Sequence, residues 1–344
     1  MQRLLPLYEL TLMRLRLFYR EPSAVFWTFG FPIILSIGLG IAFRNRPPDP
    51  IAIGVESGPD AQRVAEALAR RADVQPRVLP AADAHRALRT GKVTLVVTPG
   101  PPRVYTFDEM RPESRLARVV VDDVLQAADG RRDPIVITER HVEEPGGRYI
   151  DFLIPGLIGV NLMSSGMWGI GYVIVEMRTQ RLLKRLLATP MRRGQFLVSF
   201  LLMRLLFLFL ELPVLLVFAW LAFDVRIRGS IPLLVTVSTI GAISFAAIGL
   251  LLASRAQNTQ TVSGLMNTVM IPMYLLSGVF FSSAHFPDIL QPIIRVLPLT
   301  ALNDALRAIM NDGAGVQAVA FPVTVLVAFS VIPSVIALRI FRWQ

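Results

Sequence analysis

The sequence predicts a mainly α-helical membrane protein: six transmembrane helices, with a small α/β domain inserted between the first and second. Three observations lead there. Of its 344 residues, 53% are hydrophobic and only 17% charged, whereas soluble domains carry about 25% charged residues. Six apolar runs approach the roughly 20 residues that a bilayer core requires. Between the first two runs, short β-branched strands alternate with amphipathic helices, a soluble pattern.

The runs lie at about 23–43, 152–175, 196–222, 231–253, 257–281 and 316–338, and those at 152–175, 231–253 and 316–338 contain no charge. The first is too long for a cleavable leader and reads as a retained anchor. Orientation follows from Lys and Arg in the short loops. With the N-terminus inside, the inner side holds Arg3, Arg14, Arg16, Arg20, Arg178, Arg181, Lys184, Arg185, Arg192, Arg193, Arg255, Arg339 and Arg342. The outer short loops hold only Arg226, Arg228, Arg295 and Arg307. Both termini are therefore expected in the cytoplasm, in a multi-pass protein of the cell inner (plasma) membrane, with residues 44–150 outside.

Residues 44–150 begin after the Pro-rich "RNRPPDP" and hold 17 Lys/Arg against 16 Asp/Glu. The net charge of +10 therefore belongs to the membrane-flanking segments, which excludes nucleic acid as the partner. "IAIGV", "QPRVL", "KVTLVVTP", "RVYTF" and "DPIVITER" read as strands. "PDAQRVAEALARR", "AADAHRALRTG" and "PESRLARVVVDDVLQAADG" read as helices. His85 and His141 lack metal-ligand spacing and read as surface residues.

Three further segments are amphipathic or broken. Residues 1–22 form a cytoplasmic interface helix, with Glu9, Arg16 and Arg20 on one face and leucines over most of the rest. The stretch "EMRTQRLLKRLLATP", 176–190, divides on a helical wheel into Leu182, Leu183, Leu186 and Leu187 within an arc of about 140° and Arg178, Arg181, Lys184 and Arg185 within an opposing arc of about 120°. Pro190 stops it. The stretch 282–315 is too polar to cross and too apolar for a free loop. Broken by Pro287, Pro292 and Pro298, it reads as short helices re-entering the outer leaflet, a candidate outer gate.

Three motifs then resemble one family, the ABC-2 type permeases, membrane subunits of ATP-binding cassette exporters. They are "REPSAVFWTFGFPIILSIGLGIAF", "RLLKRLLATPMRR" and "YLLSGVFFSSAHFPDILQPIIRVLPLTALNDALR", the last with Ser277, Gly278, Pro287, Pro298 and Arg307 at matching places. The outer domain is similar to that of members with an enlarged first external loop. At Arg181-Leu182 the chain departs from the Gly-Thr of many members. The resemblance implies that Glu176, Arg178, Arg181, Leu182, Leu183, Lys184, Arg185, Leu186, Leu187 and Pro190 form a coupling helix seated on a separate ATPase subunit. It also implies a second permease, alike or different, completing a path for export of a drug, lipid or polysaccharide.

No Walker A run occurs: Lys92 follows Gly91, but the earlier glycine that motif requires is Arg86. With neither hydrolase nor metal constellation, the chain is expected to be non-catalytic and to bind no cofactor, ATP and magnesium residing on the partner. Cysteine is absent, which removes disulfides and thiolate metal sites. Glu211 lies deep in a span, with Arg204 seven residues before it on the same face. Buried charges in a span mark function by default, and structural pairing and path lining both remain open for this pair. Two other readings stand beside the exporter: a sensor or scaffold that uses the outer domain as a ligand reader, and an ion-coupled secondary transporter.

Overall fold

The computed structural model describes residues 12, 16, 19–42, 50–131, 147–182 and 193–341. The chain divides into two compact units, Asn45–Val142 and the remainder.

The smaller unit is an α/β domain. Strands β1 (Ile51–Glu56), β2 (Val74–Leu79), β3 (Leu95–Thr98) and β4 (Val104–Phe107) form one sheet in the order β2-β1-β3-β4. β1 pairs in parallel with β2 and β3, and β4 closes the edge antiparallel to β3. Period-2 alternation splits the strands between two faces. Ile53, Val55, Leu95 and Val97 pack with helices α1 (Ala61–Ala69) and α3 (Pro112–Ala128), through Val64, Leu68, Val121 and Leu125. Val96 turns to the other face, against Ala84 of helix α2 (Ala81–Arg89). The expected strand at 133–140 lies outside the described residues.

The larger unit is helical. A helix built from Pro22–Val25, a π-helical turn Phe26–Gly30 and Phe31–Ala42 opens it. Helix α4, Tyr149–Thr179, carries a second π-helical turn at Trp168–Tyr172. Then follow α5 (Arg193–Phe223), α6 (Ile231–Ala253), α7 (Thr259–Leu276), α8 (Gln291–Arg295), α9 (Pro298–Met310) and α10 (Ala320–Ile340). Glycines let α4 and its neighbours approach closely: a Cβ on Gly171 would meet the Gly249 carbonyl at 2.6 Å, and one on Gly156 the Val279 carbonyl at 2.7 Å.

Among the described residues, four helices are long and apolar enough to cross a membrane: Tyr149–Thr179, Val198–Phe223, Ile231–Ala253 and Ala320–Ile340. The six expected spans are thus reduced to four by this measure. The first is represented by an apolar helix of shorter length, Phe26–Ala42. The fifth, α7, has the length but carries Gln260, Thr261, Ser263, Asn267 and Thr268. Within 282–315 the expected short helices are present, with Pro292 in the first turn of α8 and Pro298 at the start of α9. A proline at a first helical position has no hydrogen bond to lose.

Candidate functional site

The sequence-derived residues fall into three places in the helical unit. In the middle, the Arg204 guanidinium donates to Glu211 Oε2 at 3.0 Å, with both side chains no more than 3% exposed. Seven residues along a helix rise about 10 Å, so the two side chains lie along the axis to meet. Helix α4 completes the site: Ser165 Oγ donates to the Glu211 carboxylate at 3.3 Å and Arg204 donates to the Leu162 carbonyl at 3.5 Å. Arg204 does not extend toward a boundary. It is held between α5 and α4.

At one end of the unit, Arg307 of α9 lies over the Phe152 ring, 3.7 Å from its centroid, and its Nε donates to the Phe152 carbonyl at 3.2 Å. The same guanidinium donates to the carbonyl of Gly278. Gly278 follows the end of α7 with φ +65°, a conformation glycine adopts without steric penalty. Asn303, one turn earlier on α9, donates from Nδ2 to the Ser277 carbonyl at 3.1 Å. Its Oδ1 presses on Gly159, where a Cβ would collide with it. Ser277, Gly278 and Arg307 are therefore brought together, with Pro298 buried at the start of α9. Pro287 is exposed and opens a turn in which the Leu290 amide donates to its carbonyl; it does not join them.

The same end holds contacts the sequence did not announce. Arg148 pairs with Asp151 at 2.8 Å and donates to the Phe223 carbonyl at 3.0 Å, closing the end of α5 while opening α4. Asn311 Nδ2 donates to the Asp151 carbonyl at 3.0 Å. The one available signal was Asp151, an acid in the first turn of an apolar helix, where the helix dipole favours it.

The third place is the start of the expected coupling helix. That helix is not continuous over 176–190. α4 ends at Thr179, and Arg181 stands at φ +59°. A left-handed residue ends a helix, because a β-carbon there crowds the following carbonyl. Glu176 and Arg178 thus belong to the last turns of α4, and only Arg181 and Leu182 follow the break. Leu183, Lys184, Arg185, Leu186, Leu187 and Pro190 lie outside the described residues, as does most of 1–22. Arg178 does not share an outward charged face with Arg181. It turns inward and donates to the Ala253 carbonyl at 2.9 Å and to the carbonyl of Ala256.

Residues 22–339 match a family model described as ABC-2 family transporter protein. The chain belongs to the ABC-2 family. Two relatives accord with this. ABC transporter G family member 20 of Dictyostelium discoideum is 26% identical over 193 residues, 56% of this chain and 26% of that protein. Nodulation protein J of Rhizobium meliloti (strain 1021) is 24% identical over 214 residues, 57% of this chain and 75% of that protein. The chain thus spans about a quarter of the first relative and three quarters of the second. As an ABC-2 family member it is a multi-pass membrane component of a transporter, from a family generally non-catalytic and typically paired with an ABC ATPase.

Proposed function

We propose that this chain is the permease subunit of an ATP-driven exporter, forming with a second permease the path for a hydrophobic or amphipathic substrate of the drug, lipid or polysaccharide class. The observation that carries this reading is the family match across 22–339, which takes in nearly all of the four helices long and apolar enough to cross a membrane. ATP and magnesium would sit on a separate ATPase subunit, docked on the segment that begins at the Gln180–Leu182 turn. With the shorter apolar helix and α7 as further spans, six spans would supply half of a twelve-helix path. That topology places both termini and this turn in the cytoplasm and the 44–150 domain outside, following the basic-residue bias. The Arg204–Glu211 pair fits structural pairing, since both ends are buried within one chain.

The test is co-purification of an ATPase subunit with the tagged chain, followed by ATP hydrolysis in nanodiscs. Hydrolysis is expected from the assembly and not from the chain alone. Robust turnover by the purified chain would overturn the division of labour. For orientation, single cysteines at Gly58 and Arg226 should react with an impermeant maleimide on intact cells. Those at Gln180 and Gln344 should react only after permeabilisation. External labelling of Gln180 would invert the topology.

A further inference from the structure

Arg178 sits one residue before the end of α4, and three of its acceptors lie at the corner between α6 and α7. Its guanidinium donates to Ala253 and Ala256, as described, and to the Ser254 carbonyl at 3.4 Å. It also lies 5.4 Å from the centroid of the Phe341 ring, just past the end of α10. The last carbonyls of a helix have no intrahelical partner and carry the negative end of its dipole, so a cation placed among them fixes the corner. Two residues beyond Ala256, Asn258 caps α7 by accepting the Thr261 amide at 2.7 Å. One side chain on the last turn of α4 therefore holds the start of α7.

α7 is suited to follow whatever holds its ends. Its buried stripe is narrow, Val262, Met266, Met270 and Met273, and unbranched thioethers repack more readily than branched side chains. Its far end is fixed at Ser277 and Gly278 by Asn303 and Arg307.

We propose that Arg178 is a positioning residue that passes displacement of the Gln180–Leu182 turn into α7 through the α6–α7 corner. The inference rests on the reading that an ATPase subunit docks on the segment opened by that turn.

The experiment uses the full chain assembled with its co-purified ATPase in nanodiscs. The cysteine-free sequence accepts spin-label pairs at Gln180/Gln317 and Gln257/Gln317, measured by pulsed dipolar spectroscopy with and without Mg-ATP and vanadate. In the native background both distances should change together. In Arg178→Ala the Gln180 distance should still change while the Gln257 distance no longer follows. Arg178→Lys, which keeps a cation at the carbonyls, should restore part of the Gln257 response, and Arg178→Gln should not. If Arg178→Ala fails to assemble, the Lys and Gln variants decide by the same two distances. A Gln257 response that is equal in all variants overturns the role of Arg178 and leaves the docking reading standing. A Gln180 distance that ignores nucleotide in the native assembly overturns the docking reading, and the inference with it.

Discussion

Arginine is buried in two ways in the helical unit. In the middle of the bundle Arg204 lies beside a carboxylate, whereas at the ends Arg178 and Arg307 lie beside main-chain carbonyls. The difference follows from helix geometry. Inside a helix, carbonyls accept from amides four residues ahead and have little left to offer. At a helix C-terminus they stand free, in a place where lipid or packed side chains keep water away. A cation buried mid-helix therefore needs an acid, while a cation at an end can use the backbone. Arg307 shows the point at Gly278, just past the end of α7: the Asp304 carboxylate is 3.9 Å away and half exposed, and the Gly278 carbonyl accepts from the guanidinium instead.

The sharpest way to break this contrast is to remove the acid. Glu211→Ala should leave Arg204 as an uncompensated buried charge, destabilising the protein by about 3–5 kcal/mol. Thermal unfolding in detergent would register it. The double variant Arg204→Met/Glu211→Leu should recover most of the loss, because an apolar pair of similar volume replaces a buried ion pair at little penalty. No recovery in the double variant would mean that the pair has a role beyond balancing charge.

Arg307→Ala comes next. It should strand the buried Gly278 carbonyl and withdraw the guanidinium from Phe152, at about 1–3 kcal/mol for the carbonyl left unpaired. Arg307→Lys should rescue only part of this, since an ammonium cannot fork between them. Asp304→Asn should change stability by no more than about 1 kcal/mol; a loss as large as that of Arg307→Ala would show the carboxylate to be the true partner. Arg178→Ala should be milder, about 1–2 kcal/mol by melting, because a cation at a helix C-terminus contributes that much at most and Arg178 is only partly buried. The smallest effect is expected at Arg181. Arg181→Gly should be neutral or stabilising by up to about 1 kcal/mol, since glycine accepts the left-handed conformation freely. A marked loss there would place Arg181 in a contact of its own.

These contrasts also explain what the sequence could and could not disclose. The strands β1 to β4 fall where the short β-branched runs lie, because Gly, Pro and polar residues punctuate them and alternation marks their two faces. The spacing of Arg204 and Glu211 was legible for a similar reason: two rare charges seven residues apart in an apolar helix share a face. Arg178 was misassigned because a helical wheel assumes one unbroken helix, and the break at Arg181 depends on a backbone angle. Its partners are carbonyls, which leave no mark in a sequence. Asn303 escaped notice likewise, since its acceptor is the Ser277 carbonyl. The first expected span diverges because an apolar run counts residues, whereas a helix counts only those within its ends, and the fifth because its helix takes in the polar residues Gln260 to Thr268.

The π-helical turn at Trp168–Tyr172 bears on how this helix tolerates insertion and deletion. Such a turn holds one residue more than an α-turn while leaving the helix on either side in phase. Removing a single residue from within it should convert the stretch to regular α-helix and leave Arg178 facing the α6–α7 corner. Removing one residue between the turn and Arg178 would instead rotate the arginine by about 100° around the axis and carry it off its carbonyls. Length variation in α4 is therefore expected to be absorbed at Trp168–Tyr172 and nowhere nearer its C-terminal end.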